Sequence, residues 1–208
     1  MKIAENVFSI EVGPLDVNCV IIKCPESSDT VIFDPGDNPE KIIKLIDSIG
    51  GTPKYIVNTH CHYDHIGAAD ELRNKYKIPF LVHEREKEYS EDPEKNYSVM
   101  SDNEIRISPD GLFKDGEIIR TGTLEVKVIH TPGHTLGSCC FLVKNILISG
   151  DTLFAGSVGR TDLYGGSTDS IIRSIKNKIL ILDEETVVLA GHGRQTTIRQ
   201  EKRFNPFL

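Results

Sequence analysis

The stretch Lys54-Tyr55-Ile56-Val57-Asn58-Thr59-His60-Cys61-His62-Tyr63-Asp64-His65 decides how this chain is read. Lys54 to Asn58 has the character of a buried strand, and it runs into a dense cluster of metal-ligating side chains. Three of the chain's seven histidines fall within six residues, as His-x-His-x-Asp-His. Composition alone would produce that pattern with a chance on the order of one in two thousand. A backbone still extended after the strand sends alternate side chains to the same side. His60, His62 and Asp64 are therefore expected to converge, while Cys61 and Tyr63 point away. His65, at the turn into the next helix, reaches a neighbouring point. Two offset pairs of ligands suit two metals better than one.

Further along the chain, three residues complete the pattern. His134 lies in Thr131-Pro132-Gly133-His134-Thr135, Asp151 in Ser149-Gly150-Asp151-Thr152, and His192 in Ala190-Gly191-His192-Gly193. Each follows a predicted strand, and flanking glycine lets backbone pass close to an ion. Five of the seven histidines thus occupy motif positions. Of the other two, His83 reads as a surface residue and His130 as a structural one.

Around these motifs strands and helices alternate, which points to an α/β layered fold. Strands are expected at Val7–Val12, Cys19–Lys23, Thr30–Phe33 and Pro79–Val82. A helix opens at Pro39, where a missing N–H costs nothing. Its stripe of Ile42, Ile43, Leu45, Ile46 and Ile49 has helical period, and Gly50-Gly51 ends it. A second helix is expected over Gly67–Lys77. Residues 84–117 are charged and turn-rich, and read as a surface excursion with one or two short helices, either a lid or a plain solvated insertion. The second half predicts a strand at Leu124–Ile129, a hairpin from Ser138–Val143 and Ile146–Ser149, and a strand at Val187–Ala190. A helix over Asp169–Lys178 has Ser167 or Thr168 available as its cap. No repeat, linker or composition break interrupts residues 1–208, which read as one domain.

Composition excludes several function classes. With 24 Lys+Arg against 31 Asp+Glu the formal charge is −7, and no basic block stands out. Proteins that grip nucleic acid need positive charge to neutralise phosphates, so no nucleic-acid partner is expected. The longest apolar run is the five residues from Cys139 to Val143. That is far short of the roughly 20 needed to cross a bilayer, so no membrane partner is expected either. Residues 1–6 lack the apolar core of a secretory signal. The five cysteines (Cys19, Cys24, Cys61, Cys139, Cys140) include no Cys-x-x-Cys pair. Reduced thiols in a cytoplasmic protein are the expectation.

These residues resemble the metallo-β-lactamase superfamily. The resemblance is carried by Asp34, Thr59 to His65, His134, Asp151 and His192, and spans roughly Val17 to Arg194. It implies that family's four-layer αββα sandwich with the site on one edge. It also implies that His60, His62 and His134 hold one metal, that Asp64, His65 and His192 hold the other, and that Asp151 bridges both. A Glu at position 62 would have indicated the diiron flavoprotein branch; this chain has His. Within the superfamily the sequence looks like the glyoxalase II group, the hydroxyacylglutathione hydrolases. Gly150 to Arg160 and the tail Arg203 to Leu208 look most like its short bacterial subgroup. Larger members carry a C-terminal helical domain that supplies basic residues for glutathione, and this sequence stops at Leu208 without one.

The implied chemistry is hydrolysis of a small thioester. Two divalent ions about 3.5–4 Å apart can clamp a hydroxide and polarise a carbonyl, and a zinc-bound water has its pKa lowered to about 7. A metal-bridging hydroxide would attack the thioester carbon, with Asp64 orienting it, and the thiolate leaves without a strong general acid. Arg160 is the candidate for an anionic part of the substrate. Asp34, before Pro35-Gly36, reads as a turn residue and as a partner orienting His60. Zinc, iron and manganese all suit such ligands, with zinc expected first. The rival reading is an iron-dependent persulfide dioxygenase of the same fold, which resembles this chain around His60 to His65 and Gly159-Arg160-Thr161-Asp162.

Overall fold

The structure, a computed structural model, describes residues 1–101 and 103–208. Side-chain alternation along the central strands builds its layers. In the strand Val17–Lys23, Cys19 and Ile21 face one apolar cluster, and Val20 and Ile22 face another. In Cys139–Val143, Cys139, Phe141 and Val143 join that second cluster, whereas Cys140 and Leu142 face a third. A sheet with apolar residues on both faces must be covered on both. Here two sheets cover each other and helices cover their outer faces, giving the αββα sandwich expected from the sequence.

The first sheet takes its strands in chain order: Lys2–Ala4, Val7–Val12, Val17–Lys23, Asp29–Phe33, Thr52–Val57, Phe80–His83 and Gly111–Phe113. From Asp29–Phe33 onward the pairing is parallel. Parallel neighbours need crossovers, which the helices Pro39–Ser48 and Ala69–Tyr76 provide. They bury Ile42, Ile46 and Leu72 against Ile32, Ile56 and Phe80. The second sheet runs Thr196–Thr197, Val187–Ala190, Ile146–Gly150, Cys139–Val143, Leu124–His130, Ile118–Thr121. Its outer face packs on Ile171, Ile175, Ile179 and Ile198. Between the sheets Phe33 meets Phe141, ring centroids 5.4 Å apart.

The helix expected over Gly67–Lys77 is present as Ala69–Tyr76, and a separate helical turn at Tyr63–Ile66 precedes it, so His65 sits inside a helical turn. Two local expectations are corrected. The helix at Thr168–Ser174 does start at Ser167, whose hydroxyl accepts from the Ser170 amide, but it widens to a π-type turn over Ile175–Ile179. Residues 84–117 are not a solvated insertion. Tyr89, Asn96 and Ser98 are fully buried there, and Gly111–Phe113 closes the first sheet. The Asn96 side-chain amide donates to the carbonyls of Tyr89 and Ile105, and its backbone carbonyl accepts from the Tyr63 amide at 2.9 Å. Asp102, within this stretch, lies outside the described residues.

Candidate metal centre

Asp34, His60, His134, Asp151 and His192 each follow the C-terminal end of a strand, the first two from one sheet and the rest from the other. The sheets are stitched at this edge, where the Cys139 amide donates to the Thr59 carbonyl at 2.8 Å. Two glycines permit the approach. A Cβ on Gly36 would stand 1.7 Å from the Asp64 carbonyl oxygen, so only glycine lets the loop after Asp29–Phe33 reach the turn that carries Asp64. Gly150 adopts φ +48°, and a side chain there would collide with Thr59.

The structure brings together all seven side chains singled out as ligands. His60, His62 and His134 offer atoms within 4.8 Å of one another, and so do Asp64, His65 and His192. Asp151 lies between the groups: its Oδ1 is 3.6 Å from His65 Nε2, and its Oδ2 is 3.6 Å from His134 Nε2 and 3.7 Å from His192 Nε2. Simple strand alternation is corrected here, because Asp64 stands in the helical turn and joins His65 and His192 rather than His60 and His62.

Each of four rings is held from behind. His134 Nδ1 meets the Arg160 carbonyl at 2.8 Å, and His192 Nδ1 meets the Leu15 carbonyl at 2.8 Å. A carbonyl can only accept, so Nδ1 carries the proton and Nε2 faces the cluster. His65 Nδ1 lies 3.0 Å from Asp34 Oδ2. His60 Nδ1 lies 3.1 Å from the Thr59 hydroxyl, which donates to that same Asp34 oxygen at 2.6 Å. Asp34 therefore contacts His65 directly and is linked to His60 through the Thr59 hydroxyl.

Charge divides the cluster. Burial, reinforced by the neighbouring imidazoles, lowers His60 and His62 well below the ordinary histidine range and keeps them neutral. Burial opposes charge on His65 as well, yet Asp64, Asp151 and Asp34 outweigh it and raise the ring to about 10. Likewise, despite burial, the histidines around Asp64 hold its carboxyl well below the usual range. Buried atoms without a hydrogen-bond partner include Nε2 of His60, His62 and His65, and Oδ1 of Asp151. A buried polar atom left unpaired is costly. Together with the grouped ligand atoms, this imidazole and carboxylate chemistry fits one or more divalent cations.

The cluster opens into a cleft of about 400 Å³ whose walls include Leu15, Tyr63, Tyr97, Met100 and Leu163. Tyr63 thus reaches the cleft rather than pointing away from it. A larger hollow, about 570 Å³ and bounded by Met1, Ile10, Asn18 and Arg194, contains none of the clustered residues. Arg160 lines the cleft, but its guanidinium is 62% exposed and forks onto Asp162 through two 2.8 Å hydrogen bonds. His83, read as a surface residue, is buried and stacks on His130 at 4.1 Å, apart from the cluster. Sequence reasoning missed the cleft residues Tyr97 and Met100, and also Glu86, a fully buried carboxylate behind the centre. In the charged run Glu84 to Glu91 no signal separates Glu86 from solvated neighbours.

A layered sandwich with this cluster at its sheet edge defines a class, and residues 12–192 match the model of the Metallo-beta-lactamase superfamily. The chain belongs to that superfamily. Among its relatives, a probable metallo-hydrolase, YqgX of Bacillus subtilis, is 42% identical over 95% of this chain and 94% of its own. The hydroxyacylglutathione hydrolase GloC of Haemophilus influenzae is 36% identical over 98% of both chains. Of solved structures, BLEG-1 B3 metallo-beta-lactamase superposes with a TM-score of 0.92 at 40% identity, covering 97% of this chain and 98% of that one. TTHA1623 in a di-iron-bound form does so with 0.85 at 35% identity, covering 97% and 100%.

Proposed function

We propose that this protein hydrolyses a small thioester of the hydroxyacylglutathione type, using two divalent metal ions, zinc foremost. The observation that carries the reading is the two three-residue groups with Asp151 between them, among whose buried atoms His60 Nε2, His65 Nε2 and Asp151 Oδ1 lack a hydrogen-bond partner. His60, His62 and His134 would hold one ion; Asp64, His65 and His192 the other; Asp151 would touch both. When bound, such ions supply Lewis acidity toward a carbonyl and a water acidic enough to act as nucleophile at neutral pH.

The chain's own residues supply the rest. Asp64, whose Oδ2 lies 3.3 Å from His192 Nε2, would orient the attacking water. Leu15, Tyr97, Met100 and Leu163 shield one side of the cleft and receive the apolar part of the substrate. Arg160 meets an anionic part once Asp162 releases it. A thiolate is stable enough to leave without a dedicated acid. The name of the Haemophilus influenzae relative supports the thioester reading. The five free, buried thiols support a cytoplasmic setting, and among the described residues no helix is long and apolar enough to cross a membrane.

Elemental analysis of the purified protein followed by a thioester panel with thiol detection tests the proposal. Metal-dependent thiol release, abolished by Asp64→Ala, is the expected result. Oxygen consumption with a persulfide by the iron-loaded protein, without thioester cleavage, would replace this reading with the dioxygenase one.

A further inference from the structure

Glu86 carries no assigned role, yet it is 0% exposed and sits behind the centre. Its Oε2 accepts from the Cys61 amide at 2.7 Å, and Cys61 stands between His60 and His62. Its Oε1 accepts from the Thr135 hydroxyl at 2.5 Å and the Gly137 amide at 3.0 Å, and Thr135 adjoins His134. One carboxylate thus ties together two loops that start 74 residues apart (134 − 60) and supply all three side chains of one group.

We infer that Glu86 is a positioning residue that sets the spacing of His60 and His62 against His134, and so governs how tightly this half of the centre holds a metal ion. A carboxylate accepts on both of its oxygens at once, and more strongly when ionised. Stability alone gives little reason to bury one: burial pushes the Glu86 carboxyl up to about 7 even against its three donors, and apolar replacements of buried charge are often neutral or better. Glutamine has the same shape but turns an NH₂ group toward one set of donors, so it breaks one half of the clamp while leaving the other. The inference rests on the metal-binding part of the proposed function and is independent of the substrate.

Cobalt(II) titration of the chelator-stripped protein, read by visible absorption and by chelator competition, provides the test. Glu86→Gln should weaken cobalt binding about 10–100-fold and alter the absorption bands. Glu201→Gln is the control: Glu201 is also buried and also accepts from a hydroxyl, an amide and a side-chain NH₂ (Thr196, Gly156 and Asn205), none of them in the cluster. It should lose comparable stability in urea and keep wild-type cobalt affinity. Unchanged affinity and bands in Glu86→Gln, or an equal loss in Glu201→Gln, would overturn the inference. Should Glu86→Gln not fold, Thr135→Val removes one donor and Thr135→Ser restores it. Weakened binding in the first, recovered in the second, supports the clamp; equal affinity in both overturns it. A wild-type protein that binds no cobalt sinks the metal reading together with this inference. Tight cobalt binding without thioester cleavage sinks the substrate alone.

Discussion

One oxygen of the Asp34 carboxylate lies 3.0 Å from His65 Nδ1, while its other oxygen accepts from the Thr59 amide at 2.8 Å. Asp34 itself adopts φ +48°, in the left-handed region that Asp tolerates better than most residues. Asp34→Asn keeps the shape but sets an NH₂ group against either His65 Nδ1–H or Thr59 N–H. Metal affinity by chelator competition should fall about 10–100-fold, with the fold retained by circular dichroism.

Removing metal should lower stability as well as activity. A ligand that binds only the folded chain adds about 2.7 kcal/mol at a hundred times its Kd. Dialysis against a chelator is expected to lower Tm and abolish hydrolysis, and one or two equivalents of zinc should restore both. An unchanged Tm would argue against a tightly held ion.

Arg160 serves the protein in two separable ways. Its carbonyl orients His134, which survives any side-chain replacement, whereas its guanidinium is engaged by Asp162. Arg160→Ala should therefore keep its metal content, raise KM for anionic thioesters several-fold to about tenfold, and change kcat little. Asp162→Ala, which frees the guanidinium, should lower KM for the same substrates. Metal loss in Arg160→Ala would refute this separation.

Acid should destabilise the stacked pair His83 and His130. Burial, then the facing His130, lowers His83 to about 4; burial also lowers His130. Both rings are neutral in the fold and take up protons more readily when unfolded. Their contribution is therefore complete above the unfolded pKa of about 6.5 and is lost as pH falls from there toward 4. In His83→Phe, which keeps the stack, the drop in urea midpoint between pH 7 and pH 5 should be smaller than in wild type. An identical drop would show that the pair does not report in this range.

Phe141 fills the space between the sheets, 5.4 Å from the Phe33 ring and 5.6 Å from that of Phe113. Phe141→Ala should cost about 3–5 kcal/mol in urea unfolding, as a buried aromatic truncation does. A loss below about 1 kcal/mol would mean the sheets close over the gap.

Much of this was readable before any coordinates. Pro39, the stripe of Ile42 and Ile46, and the alternation in Val17–Lys23 act locally, so sequence shows them directly. The clustering of His60 to His65 with His134, Asp151 and His192 was legible because ligand chemistry restricts residue choice at strand ends. Other features depend on partners distant in sequence. Glu86 is ordinary until Cys61 and Thr135 arrive beside it, and the Tyr89 hydroxyl finds its partners far along the chain, donating to the Tyr164 carbonyl and accepting from the Leu136 amide. The two-residue pairings Leu153–Phe154 and Thr196–Thr197 are too short to leave a periodic signal. The break between the turn Tyr63–Ile66 and the helix Ala69–Tyr76 lies where Gly67 packs closely on Gly36, a contact no propensity records.

The stitching of the two sheets at Cys139 and Thr59 carries a consequence for biosynthesis. A ribosome that has released His60 to His65 has delivered only part of the constellation, because its remaining members, His134, Asp151 and His192, arrive with the second sheet. The full set of proposed ligands therefore exists only after the second sheet has been made, and chains truncated before His192 should bind fewer metal ions than the whole chain.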